Sequence, residues 1–289
     1  MILVTGATGQ LGRLIVSELR KILPAGEGLA ASVRDPAKAA ALKDQGVDVR
    51  QADFDDKASL AKAFAGVTRL LIVSGDAPNA VRIRQHRSAI DAAKDAGVDQ
   101  VAYTSFVDHD PASPFSFAAI HHDTESYLSR SGLSYTVLRN GMYADMLHVF
   151  AGTAASGVFA APAGDGKVSF VTRADLARAT ARVLASDRYA GQTLLLAGEK
   201  ALSFSEIAAL LARQLGHPVR YDTIDRGVYE AALKKIGLPD FLAEAIGGIH
   251  VATAEGRNAE TSTAIRAITG EAPEDVASFL RRTLPRAAA

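Results

Sequence analysis

Short apolar runs recur through the first half of the chain, at Ile2-Thr5, Leu29-Val33, Val47-Arg50, Leu70-Ser74, Val101-Thr104 and Tyr135-Arg139. The intervals have helical character, beginning with Leu14, Ile15, Leu19 and Ile22. Strands alternating with helices at this spacing predict right-handed β-α-β crossovers and a doubly wound parallel sheet. After Arg139 the pattern changes. A Gly/Ala-rich stretch runs around Gly152 to Gly166, Val168-Val171 reads as strand, and Thr172-Arg173-Ala174-Asp175 reads as a capping box opening a helix from Ala174 to Leu184. Thr193-Ala197 is a further strand, and from Ser203 onward helices predominate, broken at Gly237-Leu238-Pro239. The expected division is into two lobes, residues 1–142 with 167–198, and a smaller, mostly helical lobe of residues 143–166 with 199–289. A ligand is expected between them, and the Arg286-Ala289 tail is expected to fray.

Composition narrows the partners. With 289 residues, 48% of them hydrophobic and 22% charged, the chain can bury a substantial core without staples. The absence of cysteine excludes disulfides, thiolate nucleophiles and Cys-ligated metals, and agrees with a cytoplasmic location. Thirty-two basic residues balance 32 acidic ones, which provides no electrostatic reason to expect nucleic acid or an anionic membrane as partner. No run resembles a transmembrane span, and a strand at the first residues leaves no room for a signal peptide. A monomer or homodimer is expected.

The first strand turns at once into Thr5-Gly6-Ala7-Thr8-Gly9-Gln10-Leu11-Gly12 and then a helix, the arrangement of a Rossmann dinucleotide-binding turn. Gly6 would permit the tight turn, Gly9 would admit the phosphates, and Gly12 would let the helix pack on its strand. At the end of the second strand Arg34, with Lys38 beyond it, faces the adenosine ribose, where a cation suits the 2′-phosphate of NADP. Asp35 before Pro36 reads as a helix cap. Asp53 follows the third strand, where it either holds the adenine amino group or caps a loop. Ser74-Gly75 after the fourth strand and Thr104 at the end of the fifth stand at carboxyl ends, where such sheets bind ligands.

These segments, together with Val33-Arg34-Asp35-Pro36-Ala37-Lys38-Ala39, Tyr103-Thr104-Ser105, Tyr135-Thr136-Val137-Leu138-Arg139-Asn140-Gly141 and Thr172-Arg173-Ala174-Asp175-Leu176, resemble the atypical short-chain dehydrogenase/reductases. The resemblance is to their NmrA-like branch, and within it to bacterial NADPH:quinone oxidoreductases and triphenylmethane and azo dye reductases. It is spread over the first two-thirds of the chain. Familiar members of the superfamily use a Tyr-x-x-x-Lys pair; here the two positions fall on Phe117 and His121. Phenylalanine cannot exchange a proton, so epimerase and ordinary alcohol dehydrogenase chemistry lose their main actor.

The resemblance implies direct hydride transfer from NADPH to a strongly electrophilic, conjugated acceptor such as a quinone or an azo compound, with neither flavin nor metal. His121 is the candidate acid or orienting group, or else a structural histidine; His122 points elsewhere on the helix. Ser105 either bonds substrate or cofactor or is a plain loop hydroxyl. Asn140-Gly141 brings an amide and backbone groups to the nicotinamide side, or forms a simple turn. Phe106, Phe115, Phe117, Met142, Tyr143, Met146 and Phe150 are candidate walls for a planar ligand, three or four of them in contact with it. Asp108-His109-Asp110 is rejected as a metal site, because the residues are contiguous and no second cluster completes a shell. The rival function is a redox sensor that binds NADP(H) and regulates a partner without catalysis.

Overall fold

The computed structural model describes residues 1–148 and 154–284. In chain order the first half contains β1 (Ile2–Thr5), α1 (Gln10–Ile22), β2 (Leu29–Val33), α2 (Ala40–Asp44), β3 (Asp48–Gln51), α3 (Lys57–Phe64), β4 (Arg69–Ile72), α4 (Asn79–Asp95), β5 (Gln100–Phe106), α5 (Ala118–Arg130) and β6 (Ser134–Asn140). Then come β7 (Val158–Ala161), β8 (Lys167–Val168), α6 (Arg173–Leu184), β9 (Thr193–Leu196), β10 (Leu202–Ser203), α7 (Phe204–Leu215), β11 (Arg220–Thr223), α8 (Arg226–Lys235), α9 (Asp240–Ala254), α10 (Ala264–Thr269) and α11 (Val276–Thr283).

Seven strands form one parallel sheet in the order β3-β2-β1-β4-β5-β6-β9, the doubly wound arrangement that the alternating pattern predicts. Strands such as β1 are buried along their whole length, which is why they read as continuous apolar runs. Helix α1 turns Leu11, Ile15, Val16 and Leu19 inward and places Arg20 and Lys21 in its last turn, toward the negative end of its dipole. The strand order reverses between β1 and β4, so the connections leaving them diverge to opposite faces and open a crevice at their carboxyl ends.

The second lobe has its own apolar cluster, including Met142, Phe159, Phe204, Leu211 and Phe279. Two short ribbons flank it, β7 parallel to β11 and β8 antiparallel to β10. The sequence pattern shows neither β7 nor β11, because the Gly/Ala-rich and polar segments acquire strand character only by pairing with each other. Helix α10 packs on α6 and β9, with Ile265 inside the core beneath the main sheet, while β8 pairs into the second lobe. At the start of α6, Thr172 Oγ1 accepts from the Asp175 amide at 3.0 Å, but the expected reciprocal bond is replaced. Asp175 instead takes the Thr172 hydroxyl at 2.7 Å and the Glu274 amide at 2.9 Å, tying α6 to the segment before α11. Among the described residues no helix is long and apolar enough to cross a membrane.

Candidate active site

Gly6 holds the turn after β1 with φ +60, the left-handed region that only glycine enters freely. Its carbonyl accepts the Gly9 amide at 2.9 Å. Gly9 is the N-cap of α1 and offers no side-chain acceptor, so first-turn amides remain for an anion. A Cβ on Gly12 would stand 2.4 Å from the Gly6 carbonyl oxygen; the close approach it permits is between the helix and its own turn. Thr8, Gly9 and Gln10 are exposed, whereas Leu11 is buried in the core, leaving only its backbone for a ligand.

Arg34 is exposed beyond β2 and forms no ion pair among the described residues. Lys38 lies 4.0 Å from Asp35, whose carboxylate accepts the Ala37 amide at 3.1 Å and so caps the short 3-10 turn Pro36–Ala39. Asp53 receives the Asp55 amide at 3.0 Å, the loop-capping arrangement. On the crevice floor, Thr5 Oγ1 accepts the Val73 amide and Thr104 Oγ1 accepts the Ser74 amide, both at 2.9 Å. Two buried hydroxyls from β1 and β5 thus hold the loop leaving β4. A Cβ on Gly75 would meet nothing within 4 Å, so the fold itself does not require glycine there.

An aromatic cluster closes the other side. Phe106 at the end of β5 lies 5.1 Å from Phe115 between ring centroids, Phe115 lies 5.6 Å from Phe117, and Phe117 lies 6.3 Å from Phe241 on α9. Helix α9 comes this close because Gly248 has no side chain; a Cβ there would stand 2.1 Å from the Pro114 carbonyl oxygen. His121, in the first turn of α5, lies beside this cluster, 6.2 Å from the Phe106 ring, and is 6% exposed. Its Nδ1 is 2.8 Å from the Tyr103 hydroxyl. Burial first, then the Arg82 charge, holds the imidazole well below its ordinary pKa of 6.5, so it is neutral. A neutral imidazole favours the orienting or the structural reading over proton supply near neutral pH. His122 is exposed on the next position.

Ser105 also departs from expectation. It lies within β5, and its hydroxyl donates at 2.5 Å to Glu125, which pairs with Arg139 at 2.6 Å. Neither a loop hydroxyl nor a free substrate donor, Ser105 clasps β5 and β6 to α5. Gly141 fits tightly, since a Cβ would stand 3.0 Å from the Ser169 carbonyl oxygen, and packing accounts for the glycine. The Asn140 amide is buried, and the Tyr143 phenol is its polar neighbour. Met142 is buried in the second lobe's core, Met146 is half-buried, and the Tyr143 ring lies under the Arg173 guanidinium at 4.5 Å. Phe150 falls outside the described residues. Asp108 accepts from Ser113, and Asp110 pairs with Arg257 at 2.8 Å.

The profile of the NmrA-like family matches residues 1–280. The chain belongs to the NmrA-like family. It is 44% identical over 257 residues to the quinone oxidoreductase 2 of Escherichia coli, covering 89% of each chain. The crystal structure of the E. coli NADPH-dependent quinone oxidoreductase complexed with NADPH superposes with a TM-score of 0.92 at 41% identity, covering 98% of this chain and 99% of that one. The NAD(P)H azoreductase of Xenophilus azovorans is 30% identical over 283 residues, covering 97% of each. The triphenylmethane reductase of Citrobacter sp. complexed with NADP(H) gives a TM-score of 0.90 at 35% identity, covering 98% of this chain and all of that one.

This NmrA-like chain also brings residues into the site that its motifs do not reveal. Arg82 and His86 sit one helical turn apart on the face of α4 that also buries Ala89, Ile90 and Ala93. Polar residues on an otherwise apolar helix stripe are the signal that could have found them. Phe241 and Ile249 come from α9, and nothing in the local sequence relates them to Phe117 and Phe115.

Proposed function

We propose that this chain is an NADPH-dependent reductase of quinones, azo compounds and related conjugated aromatics, acting by direct hydride transfer without flavin or metal. The carrying observation is the pairing of a phosphate-accepting glycine turn with an aromatic crevice in which Phe117 and a neutral His121 stand at the familiar acid positions. The names of the relatives, quinone oxidoreductase, azoreductase and triphenylmethane reductase, support the same reading.

The open amides at the start of α1, with Gly6, Thr8, Gly9, Gln10 and Gly12, fit a pyrophosphate. Arg34 and Lys38 fit a 2′-phosphate, and Asp53 the adenine. Thr104, Ser74, Gly75, Asn140 and Gly141 stand toward the carboxyl ends of β4, β5 and β6, the side on which a nicotinamide would lie. Bound NADPH supplies the hydride and its electron pair. Phe106, Phe115 and Phe117, joined by Phe241, hold a flat acceptor and exclude water. His121 orients it: with Nδ1 engaged by Tyr103, the proton on Nε2 is available to an acceptor oxygen. Water supplies the proton a reduced quinone finally needs, since a neutral imidazole is too weak an acid to surrender its own.

The test follows NADPH absorbance with a panel of quinones, azo dyes and triphenylmethane dyes, beside binding measurements for NADPH and NADP. Turnover on quinones or azo dyes is expected. No turnover on any acceptor, with strong discrimination between the two cofactor redox states, would replace the enzyme by a sensor.

A further inference from the structure

Helix α4 carries three arginines around the candidate site, and they differ in how their charge is met. Arg84 pairs with Asp55 at 2.8 Å, and Arg87 pairs with Asp123. Both lie on the outer side. Arg82 is turned inward, 4% exposed, and has no carboxylate within ion-pair distance among the described residues. Its Nη2 donates to Ser74 Oγ at 2.5 Å, its guanidinium covers the Phe117 ring at 4.6 Å, and its Nε is buried without a hydrogen bond. Two further arginines, on β6 and at the start of α6, are paired, Arg139 with Glu125 and Arg173 with Asp145.

A buried, unpaired cation is costly to the fold, and one kept beside an aromatic wall is positioned to meet negative charge. We propose that Arg82 reads the charge of the acceptor, stabilising the oxyanion formed when a neutral quinone accepts hydride and disfavouring acceptors that arrive as cations. The inference rests on the reductase reading above and deepens it by ranking the substrate classes. Chemically, hydride from NADPH carries two electrons into the quinone and leaves NADP and a hydroquinone monoanion, which then takes one proton from water. Negative charge thus appears where none existed. A triphenylmethane cation takes the same hydride and becomes neutral, so its positive charge faces Arg82 on entry and no anion follows.

The groups around Arg82 do not cancel its charge. Asp76 is exposed on the loop after β4, the Tyr103 phenol is pushed up to about 12 by burial, and burial, followed by the Arg82 charge, holds His86 down at about 3. The neighbours are neutral, and the one nearby acid faces water.

The experiment compares wild type with Arg82→Met and Arg82→Lys, using 1,4-naphthoquinone and the cationic dye crystal violet as acceptors. Removing one preorganised donor to a developing oxyanion costs about a hundredfold in rate. Arg82→Met is therefore expected to lower kcat/KM for naphthoquinone by about that factor, and to lower it far less, or raise it, for crystal violet. Arg82→Lys should retain most of the discrimination. A second readout needs no turnover: 4-nitrophenol titrated spectroscopically in the presence of NADP should ionise at lower pH when bound to wild type, and not when bound to Arg82→Met. Equal losses on both acceptors overturn the inference, as does a bound nitrophenol that ionises at its free pH in wild type, an outcome that needs no variant to fold. Wild type reducing no quinone would instead remove the reductase reading beneath it.

Discussion

The Tyr103 hydroxyl lies 2.8 Å from His121 Nδ1, and both side chains are buried. Burial pushes the phenol up to about 12, so it keeps its proton. Two further hydroxyls border the phenol, Thr124, which donates to the Ile120 carbonyl, and Ser74, which accepts from Arg82. A phenol that donates to Nδ1 leaves the imidazole proton on Nε2, the tautomer that the proposed orienting role requires.

This relationship predicts a reaction without a histidine titration. kcat/KM for a quinone should be flat between about pH 6 and 8, because His121 stays neutral throughout. His121→Phe should lose roughly tenfold in kcat/KM and Tyr103→Phe a smaller factor, the scale of one hydrogen bond. A pH–rate profile with an inflection near 6.5 that vanishes in His121→Phe would restore the imidazole as an acid.

Cofactor choice is predicted to lie at Arg34. Its exposed guanidinium has no ion pair to lose among the described residues, so Arg34→Asp should leave thermal stability nearly unchanged. The same change should weaken NADPH use by ten- to a hundredfold while affecting NADH little, the size of one charge-assisted hydrogen bond. Steady-state kinetics with both cofactors decide the matter, and equal losses would show that Arg34 does not meet the 2′-phosphate.

Stability should fall as the solution becomes mildly acidic. Burial holds His86 at about 3 and His250 at about 4, against an ordinary value of 6.5. Below that ordinary value the unfolded chain binds protons that the native state refuses. Stability is therefore complete above about pH 6.5 and is lost downward through the window to the folded values. Each such histidine contributes a slope of about 1.4 kcal/mol per pH unit. Denaturant unfolding between about pH 5 and 7 measures it, and a constant free energy across that range would show that these imidazoles are open to protonation in the native state.

What the chain alone determined is its local and periodic content. The alternating apolar runs specified the parallel sheet, and Gly6, Gly9 and Gly12 specified the turn, because backbone freedom and strand burial are properties of neighbouring residues. Arg34, exposed after β2, was likewise legible from its place, and Phe117, in the position of an absent acid, from the family resemblance. Tertiary structure decided which polar groups are free. Ser105 looks available in sequence and is engaged by Glu125, 20 residues away; His121 looks like an acid and is held neutral by burial and by Arg82, 39 positions earlier. Arg82 itself appears as one arginine among three on α4, and only the packed molecule leaves it buried with no carboxylate to answer it among the described residues. Desolvation and charge act through space, between side chains whose proximity no local pattern encodes.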